Sequence, residues 1–249
     1  MRALLERFSG RRAGVMLDAG CGDGEVARRI VEVSGGVTRL VLADIDATTL
    51  QEAHDQFVGL AGDFAIEVRT ADVTRLPFAD NTFDTVSLCD VLHHSGNPQL
   101  AAAECARVLK PDGVLLFSEM VGDNLSPAES VGRDLHHFKS AIDRLYNVRH
   151  DDTLQRPVIE SALAAAPLQT AWWQLERFAP AYPSDPEGRE RIAAGEQFVE
   201  AYLQHAEQLP QYAWLRKQAA FLNYRMQRAG FAPAPELHVL ARKRATLFQ

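Results

Sequence analysis

Three cysteines in 249 residues, Cys21, Cys89 and Cys105, are too few and too scattered for a disulfide-stapled scaffold. The fold must therefore rest on a packed core, and the thiols are expected to be reduced. No uninterrupted apolar run approaches the ~18 residues of a membrane span. Met1 leads into charged, mixed sequence in place of a signal-type apolar stretch, so a cytoplasmic protein without a membrane partner is expected. Positive charge is short as well: the net charge is −7, and no Lys/Arg block exceeds Arg242-Lys243-Arg244. A nucleic-acid face needs a basic surface to displace phosphate counterions, so no nucleic-acid partner is expected. Internal repeats and low-complexity tracts are missing too. What remains is 47% hydrophobic and 24% charged residues, the balance of an ordinary globular chain with material for a full core.

The first half alternates short β-rich runs with helical patterns, which reads as a parallel sheet covered by helices on both faces. Val15-Met16-Leu17 ends at Asp18, Arg39 to Ala43 ends at Asp44, and Ile66 to Val68 ends near Asp72. Thr85 to Cys89 ends at Asp90, and Val114 to Phe117 ends near Glu119. Open α/β sheets hold ligands at the carboxyl ends of their strands, so these acids are expected to converge on a site. Between the runs lie two apolar stripes, Val26, Ile30 and Val33, then Leu100, Ala101, Cys105 and Val108. Pro111-Asp112-Gly113 reads as a turn, with Gly113 taking positive φ.

Asp18-Ala19-Gly20-Cys21-Gly22-Asp23-Gly24 falls between the first strand and the first helix. Its glycines let the backbone turn tightly and approach a ligand, with helix N–H groups behind. A dinucleotide fingerprint requires glycine at position 25, where this chain has Glu25. Asp18 and Asp23 would also repel a pyrophosphate. Asp44, at the end of the second strand, is placed to accept hydrogen bonds from ribose hydroxyls. The ligand expected is a nucleoside derivative carrying positive groups. S-adenosylmethionine meets these demands.

Leu17 to Gly24, Ala43-Asp44-Ile45, Ala71-Asp72-Val73, Leu76-Pro77-Phe78, Phe83-Asp84, Val91-Leu92-His93-His94 and Arg107 to Val114 occur in order along residues 13 to 120. In these motifs the chain resembles the small-molecule branch of the class I S-adenosylmethionine-dependent methyltransferases. The resemblance implies a doubly wound, mostly parallel seven-stranded sheet of Rossmann-like type whose last strand is antiparallel. It assigns Asp18, Gly20, Cys21 and Gly22 to the methionine part of S-adenosylmethionine, and Asp44 with Ile45 to the nucleoside. Asp72 and the Val73 N–H would meet the adenine, and backbone at Cys89 the methionine ammonium. The acceptor implied is a small molecule. A nucleobase-amine acceptor would call for an Asn/Asp-Pro-Pro-aromatic run where this chain has Asp90-Val91-Leu92-His93.

His93 and His94 follow the fourth strand and are the candidate general bases, since imidazole titrates near neutrality. Packing against the cofactor and capping the next helix are the competing roles. Asp90, Asp123 and Asn124 have oxygens suited to Mg²⁺, but Asp-Asn before Pro127 is ordinary turn chemistry, and no metal is expected. Past Glu119 the alternation stops. Val131, Leu135, Phe138, Ile142 and Leu145 predict a helix, Thr153 to Ala165 another with Pro157 in its first turn, and Leu168 to Phe178 a sixth strand. Within that strand Trp172 and Trp173 should face opposite ways. Two more helices are expected, one on Phe198, Tyr202 and Ala206 and one on Leu215, Ala219, Leu222 and Met226 closed by Gly230, before a last strand from Glu236 to Ala241. Together these predict a single domain, with 13–120 as cofactor core and 121–150 and 187–229 as helical cap insertions, the first of which is expected to contribute acceptor contacts. His136, His137, Tyr146 and His150 are candidates there. A non-catalytic S-adenosylmethionine-binding protein and a nicotinamide-dependent oxidoreductase remain alternatives.

Overall fold

The computed structural model describes residues 1–57 and 64–244. Its centre is a seven-stranded mixed sheet in the order β3-β2-β1-β4-β5-β7-β6. The strands are β1 Gly14–Ala19, β2 Val37–Asp44, β3 Ala65–Thr70, β4 Phe83–Cys89, β5 Leu109–Met120, β6 Leu168–Glu176 and β7 Glu236–Lys243. The helices are α1 Arg2–Phe8, α2 Glu25–Val33, α3 Ala47–Asp55, α4 Leu92–Ser95, α5 Pro98–Val108, α6 Pro127–Leu145, α7 Arg156–Ala165, α8 Pro186–His205 and α9 Tyr212–Ala229. The pairings of β1 with β2 and β4, of β2 with β3 and of β4 with β5 are all parallel. From β1 the chain steps outward through β2 to β3, then returns to place β4 on β1's other side. That reversal opens a crevice at the carboxyl ends of β1 and β4, where a doubly wound sheet takes its ligand.

Compactness divides the chain into two units. The first comprises Met1–Glu119, Pro157–Leu175 and Leu237–Gln249. Its core joins Met16, Ile30, Leu40, Leu42, Leu50, Leu116 and Leu240, with Trp172 packed at the edge while Trp173 faces solvent. Two members of this core, Leu4 and Phe8, come from α1, a helix that the sequence reading did not anticipate. On α5 the buried face is Ala101, Ala102, Cys105, Ala106 and Val108, whereas Leu100 is exposed, so it does not belong to the expected stripe. The expected turn at Pro111-Asp112-Gly113 is a bulge inside β5: Phe83 pairs with Leu109, and Thr85, two residues on, pairs with Val114. Asp112 takes the left-handed φ of 62°, the role assigned to Gly113. Gly113 is needed for space, since a Cβ there would sit 2.8 Å from the Lys110 carbonyl.

Arg107 ties two of the motifs together. Its guanidinium donates to the carbonyls of Leu76 and Phe78 and to the carboxylates of Glu104 and Asp80, while Glu104 accepts the Leu76 N–H at 2.8 Å. The Leu76-Pro77-Phe78 loop is thereby fixed to α5. A planar five-donor fork suits this task, and lysine's point charge does not.

The second unit comprises Met120–Arg156 and Glu176–Glu236. Ser126 and Glu129 form a reciprocal capping box that starts α6 behind Pro127, and Asp185 caps α8 by accepting the Gly188 N–H. Gly230 closes α9 at φ 79°. Val131, Phe138 and Ile142 of α6 are buried with Ile192, Val199 and Leu203 of α8 and with Leu215, Ala219, Leu222 and Met226 of α9. Of the expected stripe on α8, Ala206 is buried in this core and Tyr202 packs against it, whereas Phe198 is only half-buried. Helix α7 starts one residue before Pro157, which spares the proline's missing N–H.

Candidate active site

The first crevice wall is the turn from β1 into α2. Gly20 and Cys21 both donate their N–H to the Ala43 carbonyl, at 2.7 and 3.0 Å, which lashes the loop to the end of β2. Gly20 has φ 76°, and a Cβ on it would lie 2.4 Å from Val91 Cγ2, so both backbone and space demand glycine. Gly22 has φ 51° and nothing within 4 Å of its notional Cβ. Its open side is the cradle into which a ligand can come close to the backbone.

Asp44 stands beside that cradle. One carboxylate oxygen accepts the Gly22 N–H at 2.9 Å and the other the Asp46 N–H at 3.0 Å. Each oxygen keeps a second lone pair, so the carboxylate can accept two further donors. Capping of α3 falls to Asp46, which accepts the Thr48 N–H, so Asp44 is not consumed as a helix cap. Ile45, next in sequence, is 72% exposed, an unusual setting for a large apolar side chain adjoining a carboxylate. The Ala71 N–H donates to the Asp44 carbonyl at 2.9 Å, which brings the end of β3 alongside. Asp72 is exposed and accepts the Thr74 N–H and hydroxyl on one oxygen, and Val73 is half-buried.

Asp18 forms the floor. It is 2% exposed, and its Oδ1 accepts the Ser87 hydroxyl at 2.6 Å from the neighbouring β4, while Oδ2 has no hydrogen-bond partner. Burial pushes its pKa up to about 6, the Ser87 bond opposing this and the Asp44 charge adding to it. The Cys21 thiol is pushed above the usual thiol range by burial and by the charges of Asp18 and Asp44, which makes it an inert packing group. None of the ion pairs among the described residues involves Asp18, Asp23, Asp44 or Asp72. Carboxylates gathered without an ion-pair partner favour a cationic ligand over a pyrophosphate.

At the end of β4, Cys89 is half-buried, and Asp90 at φ 56° donates its N–H to the Ser118 carbonyl at 2.8 Å. His93 is buried, with Nδ1 2.6 Å from Glu119 Oε1, and Glu119 Oε2 accepts the Leu92 N–H at 2.8 Å. Toward a carboxylate oxygen the ring nitrogen is the donor, so Glu119 fixes the His93 ring through Nδ1. His94 is less buried, its ring 4.3 Å from that of His93 between centroids. Glu119 is a site residue that sequence reading recognised only as one acid among several. Ser87 carried no signal at all. Elsewhere, Asp123 accepts the Arg156 N–H at 2.7 Å, a local structural bond.

Replacing Asp44 with Ala is expected to weaken cofactor binding by about 1.5–3 kcal/mol, the range for hydrogen bonds to a charged group. Titration of the folded variant reads this directly, and unchanged affinity would contradict the expectation that Asp44 meets a ribose.

A family model described as a methyltransferase domain matches residues 17–117. Among curated proteins, the chain is 34% identical over 135 residues to the ubiquinone/menaquinone biosynthesis C-methyltransferase UbiE of Saccharophagus degradans, covering 53% of each. The chain thus spans about half the length of that relative. Among solved structures, a putative methyltransferase from Bacillus halodurans aligns with 98% of both chains at 16% identity and TM-score 0.63. The cyclase SpnF aligns with 98% of this chain and 79% of its own at 19% identity and TM-score 0.62. At such identities these two speak for the fold.

Proposed function

Since residues 17–117 belong to the class I S-adenosylmethionine-dependent methyltransferase family, we propose that this protein transfers a methyl group from S-adenosylmethionine to a nucleophilic N, O, S or C atom of a small molecule. The observation that carries this reading is the glycine loop lashed to β2, with Asp44 on its open side and a partnerless Asp18 oxygen beneath. S-adenosylmethionine brings an already activated methyl group. What the chain supplies is alignment, and holding reactants in line can account for ~7–11 kcal/mol of barrier. Asp44 takes the ribose hydroxyls, Ile45 covers the adenine, and Asp72 with the Val73 N–H meets the adenine edge. Asp18, Gly20, Gly22 and the Cys89 backbone hold the methionine end. Among acceptor atoms, carbon is the first to assay, because the UbiE relative is named a C-methyltransferase.

An acceptor that must lose a proton needs a base, and His93 is arranged as one. Glu119 orients the ring through Nδ1, as an orienting carboxylate does for a catalytic imidazole. With such an acceptor, Glu119→Gln is expected to lower kcat by ~10²-fold or more. With an acceptor that has no proton to lose, kcat should stay near wild type. A loss of equal size for both acceptors would make the pair structural. His94 stacks on His93 and is the second candidate, tested by the same pair of acceptors.

The same sheet in a protein named a cyclase shows that this architecture hosts other reactions, so binding and transfer need separate assays. A labelled-methyl assay over a panel of small acceptors tests the proposal, with transfer of label as the expected result. Binding of S-adenosylmethionine without transfer to any acceptor would leave the non-catalytic alternative standing. The nicotinamide alternative is opposed by Glu25, whose side chain occupies the fingerprint's third glycine position.

A further inference from the structure

Helix α9 has two faces of unlike chemistry. Leu215, Ala219, Leu222 and Met226 are buried in the core of the second unit. Opposite them, Trp214, Phe221 and Tyr224 are 52%, 56% and 58% exposed. At 3.6 residues per turn these three rings lie within an arc of about 80°, and Lys217 and Arg228 fall inside it. A solvent face is ordinarily polar, and three clustered aromatic rings more than half exposed mark a surface made to be covered.

The charges say by what. Tyr212–Ala229 carries Arg216, Lys217, Arg225 and Arg228 and not one Asp or Glu, in a chain whose net charge is −7. Arg225 is engaged by Asp134 and Ser130 and lies 5.9 Å over the Phe221 ring. Arg216, Lys217 and Arg228 form no ion pair among the described residues. Glu196 of α8 accepts from Gln227, away from the aromatic stripe. Self-association through this face would set Lys217 and Arg228 against their own copies with no carboxylate on the helix to answer them. Trp and Tyr have an apolar body with a polar tip and sit at headgroup level in bilayers, where basic side chains reach lipid phosphates.

We propose that the outer face of α9 is a docking surface for an anionic lipid bilayer, with Trp214, Phe221 and Tyr224 seated among the headgroups and Lys217 and Arg228 on their phosphates. No described helix is long and apolar enough to cross a membrane, and none is needed, because a helix of this kind lies in the interface plane. This surface belongs to α9 alone and does not depend on the acceptor proposed above.

Co-sedimentation of the full chain with vesicles of phosphatidylcholine, alone or with about 30% phosphatidylserine, tests it. Binding is expected to the anionic vesicles only, and to be released at about 0.5 M salt, where charges more than a few ångströms apart are screened. The double variant Trp214→Ala, Phe221→Ala should lower the bound fraction at least tenfold with thermal midpoint and cofactor affinity unchanged. Lys217→Glu with Arg228→Glu should do the same through charge alone. The proposal is overturned if neither vesicle binds, if either variant binds as wild type does, or if the aromatic variant dissolves a dimer, which would make the face a protein interface.

Discussion

Gly20→Ala is expected to cost about 2–5 kcal/mol of stability and to abolish measurable cofactor binding. Two independent penalties meet at this position. A non-glycine residue in the left-handed region costs roughly 1–2 kcal/mol, and forcing a methyl group to 2.4 Å from Val91 Cγ2 adds overpacking of ~1–3 kcal/mol. Against a typical total of ~5–15 kcal/mol this is a large fraction, so the variant should melt well below wild type. Gly22→Ala separates structure from function. Its φ of 51° imposes the backbone penalty alone, because nothing lies within 4 Å of the added Cβ. The Gly22 variant should therefore stay folded with stability reduced by ~1–2 kcal/mol while losing cofactor affinity, its methyl group entering the cradle. Thermal melts paired with titrations distinguish the two. Equal melting temperatures for the two variants would refute the role given to Val91.

The second large effect lies with Asp18. Its carboxyl, ordinarily near 3.8, is pushed up to about 6 in the folded chain by burial. Between those values the folded state binds more protons than the unfolded one, so this group's contribution to stability falls as pH rises from ~4 through ~6 and is flat above. The loss amounts to something on the order of 3 kcal/mol by pH 7. Other carboxylates run the opposite way: hydrogen bonds and cations hold Asp84, Glu104 and Asp143 below their usual range, so they add stability as pH rises through the acid range. The decisive quantity is thus the difference between Asp18→Asn and wild type. Urea unfolding at several pH values should show the variant gaining on wild type from pH ~4 to ~6.5. If the two stabilities run parallel across that range, Asp18 is ionised without cost. A cationic ligand compensates for the buried charge, so wild-type affinity for S-adenosylmethionine should fall below pH ~6 as Asp18 takes up a proton, and the Asn variant should bind weakly at every pH. A buried carboxylate with an oxygen left over destabilises the free protein and serves only when something binds, the trade that functional sites commonly make.

Sequence made the strands of the cofactor half legible because each is a short apolar run stopped by an acid, and strand ends are where acids become visible. Asp44 beside the glycine loop could be placed for the same reason. Helix α6 was readable from the 4-3-4-3 spacing of Val131, Leu135, Phe138, Ile142 and Leu145, and α9 from its apolar stripe and closing glycine. Helix α1 was not, since Leu4 and Phe8 are its only fully buried residues and two positions do not make a period. Nor could spacing reveal that Ser87 would face Asp18 or that Glu119 would hold His93. Those contacts join residues 69 and 26 apart and exist because β4 crosses back to lie beside β1, with β5 beside it. On α8 the expected stripe is met in part: Ala206 is buried and Tyr202 packs on the core, while Phe198 lies at its margin. Packing favoured the small face, where Gly195 lets Met226 come close.

The measurement that bears most directly on the account is calorimetric titration of the folded chain with S-adenosylmethionine, its demethylated product and NADH, repeated on Asp44→Ala. The geometry predicts one site per chain for the first two ligands, no binding of NADH, and affinity reduced by about 1.5–3 kcal/mol in the variant. Tight binding of NADH without S-adenosylmethionine, or a variant that binds S-adenosylmethionine as tightly as wild type, would contradict it.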